Sequence, residues 1–543
     1  MRTTSVILAS LGAMVLTLLP VAGSADEPAG PPAGLPEVAA APADDAARAQ
    51  EALAQARALF GRYDGRNRGL AGQESGPARE LGRDVTLVLR DLAVRVGDLE
   101  GDDRTAARRI LARPTDGAAD PIQNGYEAGV PVQEACSTSF CLHWVESTAD
   151  AADPQWVDTQ VRPVMEQVWK GVTGDLGYRA PKRDDRGVDN DTDRPKLDIY
   201  LANLRDDKMY GYCTTDDFSG GRARSAYCVL DNDFVNYPKS PEASLRVTAA
   251  HEFFHAVQFN YDIFEDAWFM EGTAAWIEDE LYDGINDNRQ YLTRSGLRIP
   301  EAPLDFPGTE QDPTFVYGSW IFWRYLSERF GKGASSDPRI VRQVWDRATK
   351  PGYYSLRALR ATLAARNAQF PQVFTDFGVT NRRARQWYEE GRSYRNAPVR
   401  RTFTLSPTND LVGLRPGAAV EKNRPWRIWH LANHHARFRA GTAVRGAARL
   451  RVSVDAPPTT RGSRATVMVH RKNGSVGRTT VRLNRQGNGV VTTPFTRSKV
   501  SSVVLTLTNA STRSRCNRGT GWSCQGIPLD DDLPFSFTAR LLR

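Results

Sequence analysis

The spacing of hydrophobic positions separates helical from strand-forming regions along the chain. Apolar residues recur at helical spacing in three N-terminal segments, at about 45–63, 78–99 and 104–112. From about residue 118 the pattern changes to short β-rich runs at 139–145, 196–204 and 225–230, interrupted by one helical pattern at 157–172. Helical patterns then dominate as far as about residue 391, at 244–260, 266–282, 317–330, 338–348 and 354–366. We therefore predict a helical N-terminal segment followed by an α+β domain over 118–397.

After about residue 398 the pattern becomes strict alternation of apolar and polar residues between turn signals. Such runs occur at 401–405, 448–454, 465–483, 501–509 and 535–542. The dipeptide Asn473-Gly474 lies between two alternating stretches, which is a strong signal for a β-hairpin. The sequence predicts that residues 398–543 form an all-β sandwich domain.

The N-terminus has the pattern of a secretory signal peptide over 1–25. Arg2 precedes an apolar run at 6–19, and small residues follow as far as Ala25. No later stretch reaches the roughly 18 apolar residues of a membrane span, so we expect a secreted mature chain without a transmembrane segment. Residues 26–117 comprise a Pro- and Ala-rich linker and the helical segment, which is either a propeptide or an N-terminal helical domain.

Composition indicates a folded protein and places the positive charge at one end. Of the 543 residues, 41% are hydrophobic and 25% are charged, which excludes disorder throughout. The net charge is +7, yet residues 401–543 contain 24 basic and 6 acidic residues, so the rest of the chain is acidic. This partition argues against a specific nucleic-acid binder. The basic C-terminal domain either contacts an anionic cell surface or substrate, or simply presents a solvated surface.

The six cysteines fit an exported protein, because disulfides persist outside the reducing cytosol. They fall into three pairs that are local in sequence, and we expect them to be bonded in that way: Cys136 with Cys141, Cys213 with Cys228, and Cys516 with Cys524. No CxxC spacing occurs, so structural disulfides are favoured over a zinc ribbon.

A zinc-binding pattern lies in the helical stretch VTAAHEFFHAVQF. His251 and His255 are one helical turn apart and can bind one zinc ion, while Glu252 lies beside the first of them and can reach a water at the metal. The alternative, two core histidines, is disfavoured by this spacing in an exported chain. The pattern predicts one catalytic Zn²⁺ with Glu252 as the general base.

A catalytic zinc needs a third protein ligand. Gln258 and Tyr261 occupy the positions at which the longer HExxHxxGxxH pattern has glycine and histidine, so a third histidine is excluded there. Glu271 lies among small and apolar residues of the next helical pattern, and a carboxylate in such a setting needs a partner. The competing acids are three in succession and are expected to face solvent: Glu278, Asp279 and Glu280. Of these, Glu278 lies two turns after Glu271 and is the remaining alternative to it as the ligand.

The motif HEFFH, followed sixteen residues after His255 by the glutamate of WFMEGTAAW, resembles the gluzincins, the group that includes thermolysin and the aminopeptidase N type. The runs VTAAHEFFHAVQFNYD, EGTAAWIEDELYDGINDN and YGSWIFWRYLSERFG are similar to secreted bacterial metallopeptidases with a C-terminal β domain. The resemblance implies a zincin-like catalytic domain in which His251, His255 and Glu271 bind zinc. The position at which several gluzincins carry an aspartate that orients a ligand histidine is Ala275 here.

These observations predict a zinc metallopeptidase, a hydrolase that acts as an endopeptidase on a protein or peptide substrate. Tyr317 is the candidate donor to the oxyanion, by position and by likeness to a tyrosine used in several gluzincins, or it is a core aromatic residue. The strand at 225–230 is expected at a sheet edge, where an extended peptide would pair with it. The alternatives are a secreted binding or adhesion protein with an inactive zincin fold, and a zinc hydrolase of a non-peptide substrate.

Two further patterns weakly indicate metal sites. The alternating acids Asp189, Asp191 and Asp193 resemble the start of a Ca²⁺ loop but lack its later glycine and glutamate, so an exposed polar turn is favoured. The histidines of the β-rich domain, His430, His434 and His435, have no nearby carboxylate cluster in the sequence, and a second metal site is disfavoured there.

Overall fold

The computed structural model describes residues 44–61, 85–116, 125–184, 196–204, 209–309, 312–331, 336–414 and 425–542. The predicted signal peptide, most of the linker and the acidic turn at 189–193 lie outside these ranges. The described chain has a mixed α/β architecture with a β-rich C-terminal region. None of the described helices is long and apolar enough to cross a membrane.

Three α-helices open the described chain: α1 (Asp45–Gly61), α2 (Val85–Ala93) and α3 (Gly101–Ile110). They agree in number with the predicted N-terminal helices. Their apolar residues pack on one face of a β-sheet and share a hydrophobic core with it, which includes Leu89, Leu92, Tyr200 and Tyr227. The N-terminal helices therefore cover a sheet face that would otherwise expose large aromatic side chains.

The sheet is mixed and contains five strands: β1 (Val132–Cys136), β2 (Phe140–Val145), β3 (Leu197–Ala202), β4 (Gly211–Thr214) and β5 (Tyr227–Asp231). Their order is β1-β2-β3-β5-β4, with parallel pairing of β2 to β3 and of β3 to β5 and antiparallel pairing at both ends. The strands β2, β3 and β5 are buried along their whole length, which fits their nearly continuous apolar sequences. The predicted edge strand at 225–230 is thus wrong: β5 lies between β3 and β4, and β4 forms the edge.

Helices cover the opposite face of this sheet. A continuous helical stretch consists of α4 (Pro154–Trp156), a π-helical turn (Val157–Val161), α5 (Arg162–Trp169) and a second π-helical turn (Lys170–Asp175). The next helices are α6 (Pro241–Asp262), α7 (Ala267–Tyr282), α8 (Trp320–Phe330), α9 (Arg339–Ala348), α10 (Leu356–Ala365), α11 (Phe370–Asn381) and α12 (Ala384–Trp387). Short 3-10 helices lie at Val96–Asp98, Asp287–Arg294, Pro313–Ser319 and Gly391–Ser393. The individual helical patterns in the sequence analysis do not include α11 and α12, although both lie in the region where helices were predicted to dominate, and Pro371 lies in the first turn of α11.

The C-terminal region contains two five-stranded sheets that share one hydrophobic core. The first sheet combines β7 (Leu411–Leu414), β8 (Trp426–Ile428), β10 (Arg449–Asp455), β13 (Asn488–Pro494) and β17 (Leu533–Leu542). The second combines β6 (Arg401–Leu405), β9 (Ala432–Ala440), β11 (Ser463–Arg471), β12 (Val476–Thr480) and β14 (Val500–Asn509). A small two-stranded sheet pairs β15 (Ser514–Arg515) with β16 (Ile527–Pro528). This arrangement is a β-sandwich.

The predicted hairpin at Asn473-Gly474 joins β11 to β12, and Gly474 has a φ of +84°, which suits glycine. The structure also contains the three expected disulfides. Cys136–Cys141 joins β1 to β2, Cys213–Cys228 joins β4 to β5, and Cys516–Cys524 closes a loop between β15 and β16. None of the six cysteines is free.

Candidate metal centre

Helix α6 carries the HExxH residues on one buried face. Ser240 precedes the helix and accepts a hydrogen bond from the backbone N–H of Ala243 at 3.3 Å, and Pro241 occupies the first turn. Both features are typical helix starts. From this start the 3.6-residue period places His251 and His255 one turn apart, and both side chains are buried.

Helix α7 brings Glu271 to the two histidines. Its Oε2 lies 3.2 Å from Nε2 of His251, and its Oε1 lies 3.6 Å from Nε2 of His255. One ligand atom from each of the three residues lies within 4.8 Å of the others. The next residue, Gly272, allows α7 to pack closely against the start of α8, because a Cβ there would collide with Ser319 and Trp323.

The other ring nitrogen of each histidine is held by a buried partner. Nδ1 of His251 donates to Glu278 Oε1, and Nδ1 of His255 donates to Gln258 Oε1, both at 2.7 Å. The amide of Gln258 is oriented in turn, since its Nε2 donates to the carbonyl of Met270 at 2.9 Å and to Oγ1 of Thr273 at 3.0 Å. Hydrogen bonds at Nδ1 leave both Nε2 atoms directed toward Glu271.

The three residues fit a tetrahedral zinc ion. At metal–ligand distances of about 2.0–2.1 Å, neighbouring tetrahedral ligands lie about 3.3 Å apart. The distances of 3.2 and 3.6 Å from the two histidine nitrogens to the two different carboxylate oxygens of Glu271 are of this size. Nε2 of His255 and Oε1 of Glu271 are buried and have no hydrogen-bond partner among the described residues. Buried polar atoms of this kind are costly unless something binds them, and a metal ion would satisfy both. Two imidazoles and one carboxylate are a frequent ligand set of catalytic zinc.

The charges of the cluster attract one another. Burial raises the pKa of Glu271, but the neighbouring His255 and His251 outweigh this effect and lower it to about 2. Burial lowers the pKa of His251, but hydrogen bonds to Glu271 and Glu278 outweigh this effect and raise it to about 10. Without a metal, Glu271 is therefore an anion and His251 is protonated at neutral pH, so a metal ion that binds here has to displace the proton of His251.

Glu252 lies beside this cluster, and burial raises its pKa, while His251 and His255 act in the opposite direction. Its Oε2 accepts a hydrogen bond of 3.1 Å from the hydroxyl of Thr86, a residue of α2. Tyr317 is fully buried in the 3-10 turn before α8, and its ring stacks on that of His251 with centroids 5.8 Å apart. All five predicted site residues are thus brought to one region of the molecule.

The expectation that the acids after Glu271 face solvent is wrong. Glu278 and Asp279 are buried, and Glu280 is largely covered and forms an ion pair with Arg324 at 3.0 Å. Glu278 lies seven residues, or two turns, after Glu271, so it shares that face of α7 and reaches His251. The sequence analysis singled out Glu278 among the three acids by this spacing but still expected it at the surface. The spacing could also have indicated Gln258 as a partner of His255, because it lies three residues later on the same helix. Thr86 is too distant in sequence for any spacing to indicate its contact with Glu252.

Two other groups of titratable residues lie away from this centre. Asp279, Asp283 and Glu390 form a second cluster of carboxylates, but Arg324 neutralises Asp279 at 3.4 Å. The histidines of the β-rich region have protein partners: His430 contacts Asp305 at 2.8 Å and also Asp531, and Nδ1 of His435 pairs with Oγ1 of Thr506 at 2.9 Å. His434 is buried in β9.

No protein-family model matches the chain, and no curated protein matches it either. The site is therefore interpreted from its own geometry and chemistry.

Proposed function

We propose that the protein is a secreted zinc-dependent peptidase of the gluzincin type that acts as an endopeptidase. The observation that carries the proposal is the convergence of His251, His255 and Glu271, with both histidines oriented by buried acceptors and Glu252 on the same helix. Three protein ligands leave a fourth position for water or substrate, which distinguishes a catalytic zinc site from a structural one. The disulfides and the N-terminal signal pattern support the export of the chain.

The residues around the cluster suit peptide hydrolysis. Zinc held there would polarise the scissile carbonyl and lower the pKa of water in its coordination sphere toward about 7. Glu252 accepts the proton of the attacking water and delivers it to the leaving amine. Its pKa, raised by burial, makes it a stronger base than an exposed glutamate. Tyr317, packed against His251, is our candidate to donate a hydrogen bond to the developing oxyanion.

The substitution Glu252→Gln tests the assignment of the base. We expect it to abolish cleavage of casein or of quenched fluorescent peptides while about one zinc per chain remains bound, because Glu252 is not a ligand. Glu242→Gln, in the first turn of the same helix and away from the cluster, is the matched control and should behave as wild type. Zinc content, measured by mass spectrometry, and hydrolysis are followed with and without a chelator, before and after limited proteolysis.

The outcomes separate the candidate functions. Hydrolysis that is unchanged in Glu252→Gln contradicts the proposed mechanism. Bound zinc without cleavage of any peptide pool favours the binding protein or the hydrolase of a non-peptide substrate.

The basic C-terminal region supports contact of the enzyme with an anionic cell surface or substrate. Its 24 basic residues against 6 acidic ones favour an electrostatic attraction that salt screens. We expect the full chain to bind vesicles with anionic headgroups at low ionic strength and to dissociate as salt is raised, and not to bind neutral vesicles.

A further inference from the structure

Helix α2 contacts both the proposed base and the edge strand β4 of the mixed sheet. Thr86 lies in its first turn and is buried. The Thr86 hydroxyl donates to Oε2 of Glu252 at 3.1 Å and accepts a hydrogen bond of 3.0 Å from the backbone N–H of Cys213. One side chain thus joins the proposed base to the edge of the sheet.

Within the described ranges, no strand pairs with the outer side of the edge strand β4. All four of its residues are nevertheless buried, because both α2 and α6 pack against it. The N–H of Cys213 points away from β5 and would be free to pair with an extended peptide if α2 were absent. Instead, the hydroxyl of Thr86 satisfies this donor. A peptide is therefore unable to pair with β4 while α2 holds its observed position.

Helix α2 is fixed firmly in this position. One turn beyond Thr86, Arg90 donates from Nη1 to the carbonyls of Ile263 at 3.3 Å and Glu265 at 2.9 Å, in the link between the two helices that carry the cluster. The apolar side of α2, including Leu89 and Leu92, is buried in the core that it shares with the sheet. The molecule with α2 displaced is therefore rare, and weakening the contacts of α2, by substitution or by proteolysis, should make it more frequent.

A second buried contact holds the end of the N-terminal segment. Arg113 follows α3 and is almost fully buried, and it forms ion pairs with Asp184 at 2.5 Å, Asp198 at 2.5 Å and Asp216 at 3.0 Å. Removing one partner from such a buried cluster is strongly unfavourable. These ion pairs hold the region after α3 on the sheet. The contact that could be released to open the site is therefore that of α2.

We propose that α2 is an autoinhibitory segment and that Thr86 is the residue through which it blocks the base and the substrate-binding edge. This inference rests on the proposed function for the identity of the site and adds its regulation. The structure then represents a latent form of the enzyme. The opposite interpretation, in which Thr86 orients Glu252 for catalysis, predicts the reverse effect on activity.

The substitution Thr86→Ala in the full chain tests the proposal. It removes both hydrogen bonds, one of them to a carboxylate. We therefore expect the fraction of molecules in which α2 has moved away from β4, and with it the rate of peptide hydrolysis, to rise about tenfold. Thr86→Ser, which keeps the hydroxyl, should stay near the wild-type rate. Thr105→Ala is the matched control, because Thr105 is exposed on α3 and its hydroxyl bonds only within its own helix. Arg90→Ala loosens α2 through a different contact and should also raise the rate.

Amide hydrogen exchange of the strand at 211–214 gives a readout that does not depend on activity or zinc. We expect faster exchange at Cys213 in Thr86→Ala, and wild-type exchange in Thr86→Ser and Thr105→Ala. Faster exchange without hydrolysis in any form supports the autoinhibitory contact and counts against the peptidase. Exchange in Thr86→Ala equal to that of the wild type, or lower hydrolysis with zinc still bound, overturns the proposal.

Discussion

The hydrogen bond between His251 and Glu278 makes a quantitative prediction about metal affinity. Substituting Glu278 by alanine leaves the Nδ1–H of His251 buried and without its acceptor, which costs about 1–3 kcal/mol. The cost falls on the metal-bound state, where the ring has to keep Nε2 at the metal and is unable to turn toward another acceptor. At about 1.4 kcal/mol per factor of ten, and in line with other metal sites, we expect the zinc affinity to fall about 10- to 100-fold.

Competition between the protein and a fluorescent zinc chelator measures this affinity directly. Glu278→Gln retains an acceptor at the same position and should lose less affinity than Glu278→Ala. Glu280→Ala is the control: it lies two residues further along the same helix and loses an ion pair with Arg324, but it does not contact the histidines. A general loosening of α7 would weaken zinc binding in both alanine variants.

Equal zinc affinities in Glu278→Ala and the wild type would refute the reasoning, because Glu278 would then not orient a ligand. Equal losses in Glu278→Ala and Glu280→Ala would assign the effect to helix stability instead of the hydrogen bond.

Two further predictions concern stability. Burial lowers the pKa of His434 and His435 well below the ordinary value, so both are neutral in the fold while the unfolded chain protonates below about pH 6.5. Their contribution to the free energy of unfolding is fully present above that pH and is lost on acidification, at up to about 1.4 kcal/mol per pH unit for each histidine. A variant with glutamine at both positions should therefore show a free energy of unfolding, measured with urea, that depends less on pH between 7 and 5. Replacing both cysteines of the β4–β5 disulfide by serine opens a loop with a separation of 15 residues and should cost about 3 kcal/mol. The same change at the β1–β2 disulfide, with a separation of 5, should cost about 1 kcal/mol less, and equal losses would contradict the loop-entropy argument.

Features that depend on local spacing could be predicted from the residues alone. The 3.6-residue period and the absence of glycine or proline in VTAAHEFFHAVQF place the two histidines on one face of a helix, whatever surrounds it. The setting of Glu271 among small residues indicated a carboxylate that another group has to satisfy, and the structure brings it within 3.2 Å of His251. The local cysteine pairs and the Asn473-Gly474 hairpin follow from short separations in the same way.

Contacts between residues of different helices and strands could not be predicted in this way, because they depend on how the elements pack. The order β1-β2-β3-β5-β4 is not sequential, so no local pattern identifies β4 as the edge strand. Three successive acids normally face solvent, yet the packing of α7 between α6 and α8 buries Glu278 and aims it at His251. Thr86 contacts Glu252 across 166 residues of sequence, and such a contact arises from the arrangement of the whole domain. Local periodicity fixes the face of a helix, whereas the partner of that face is set by the packing of all elements together.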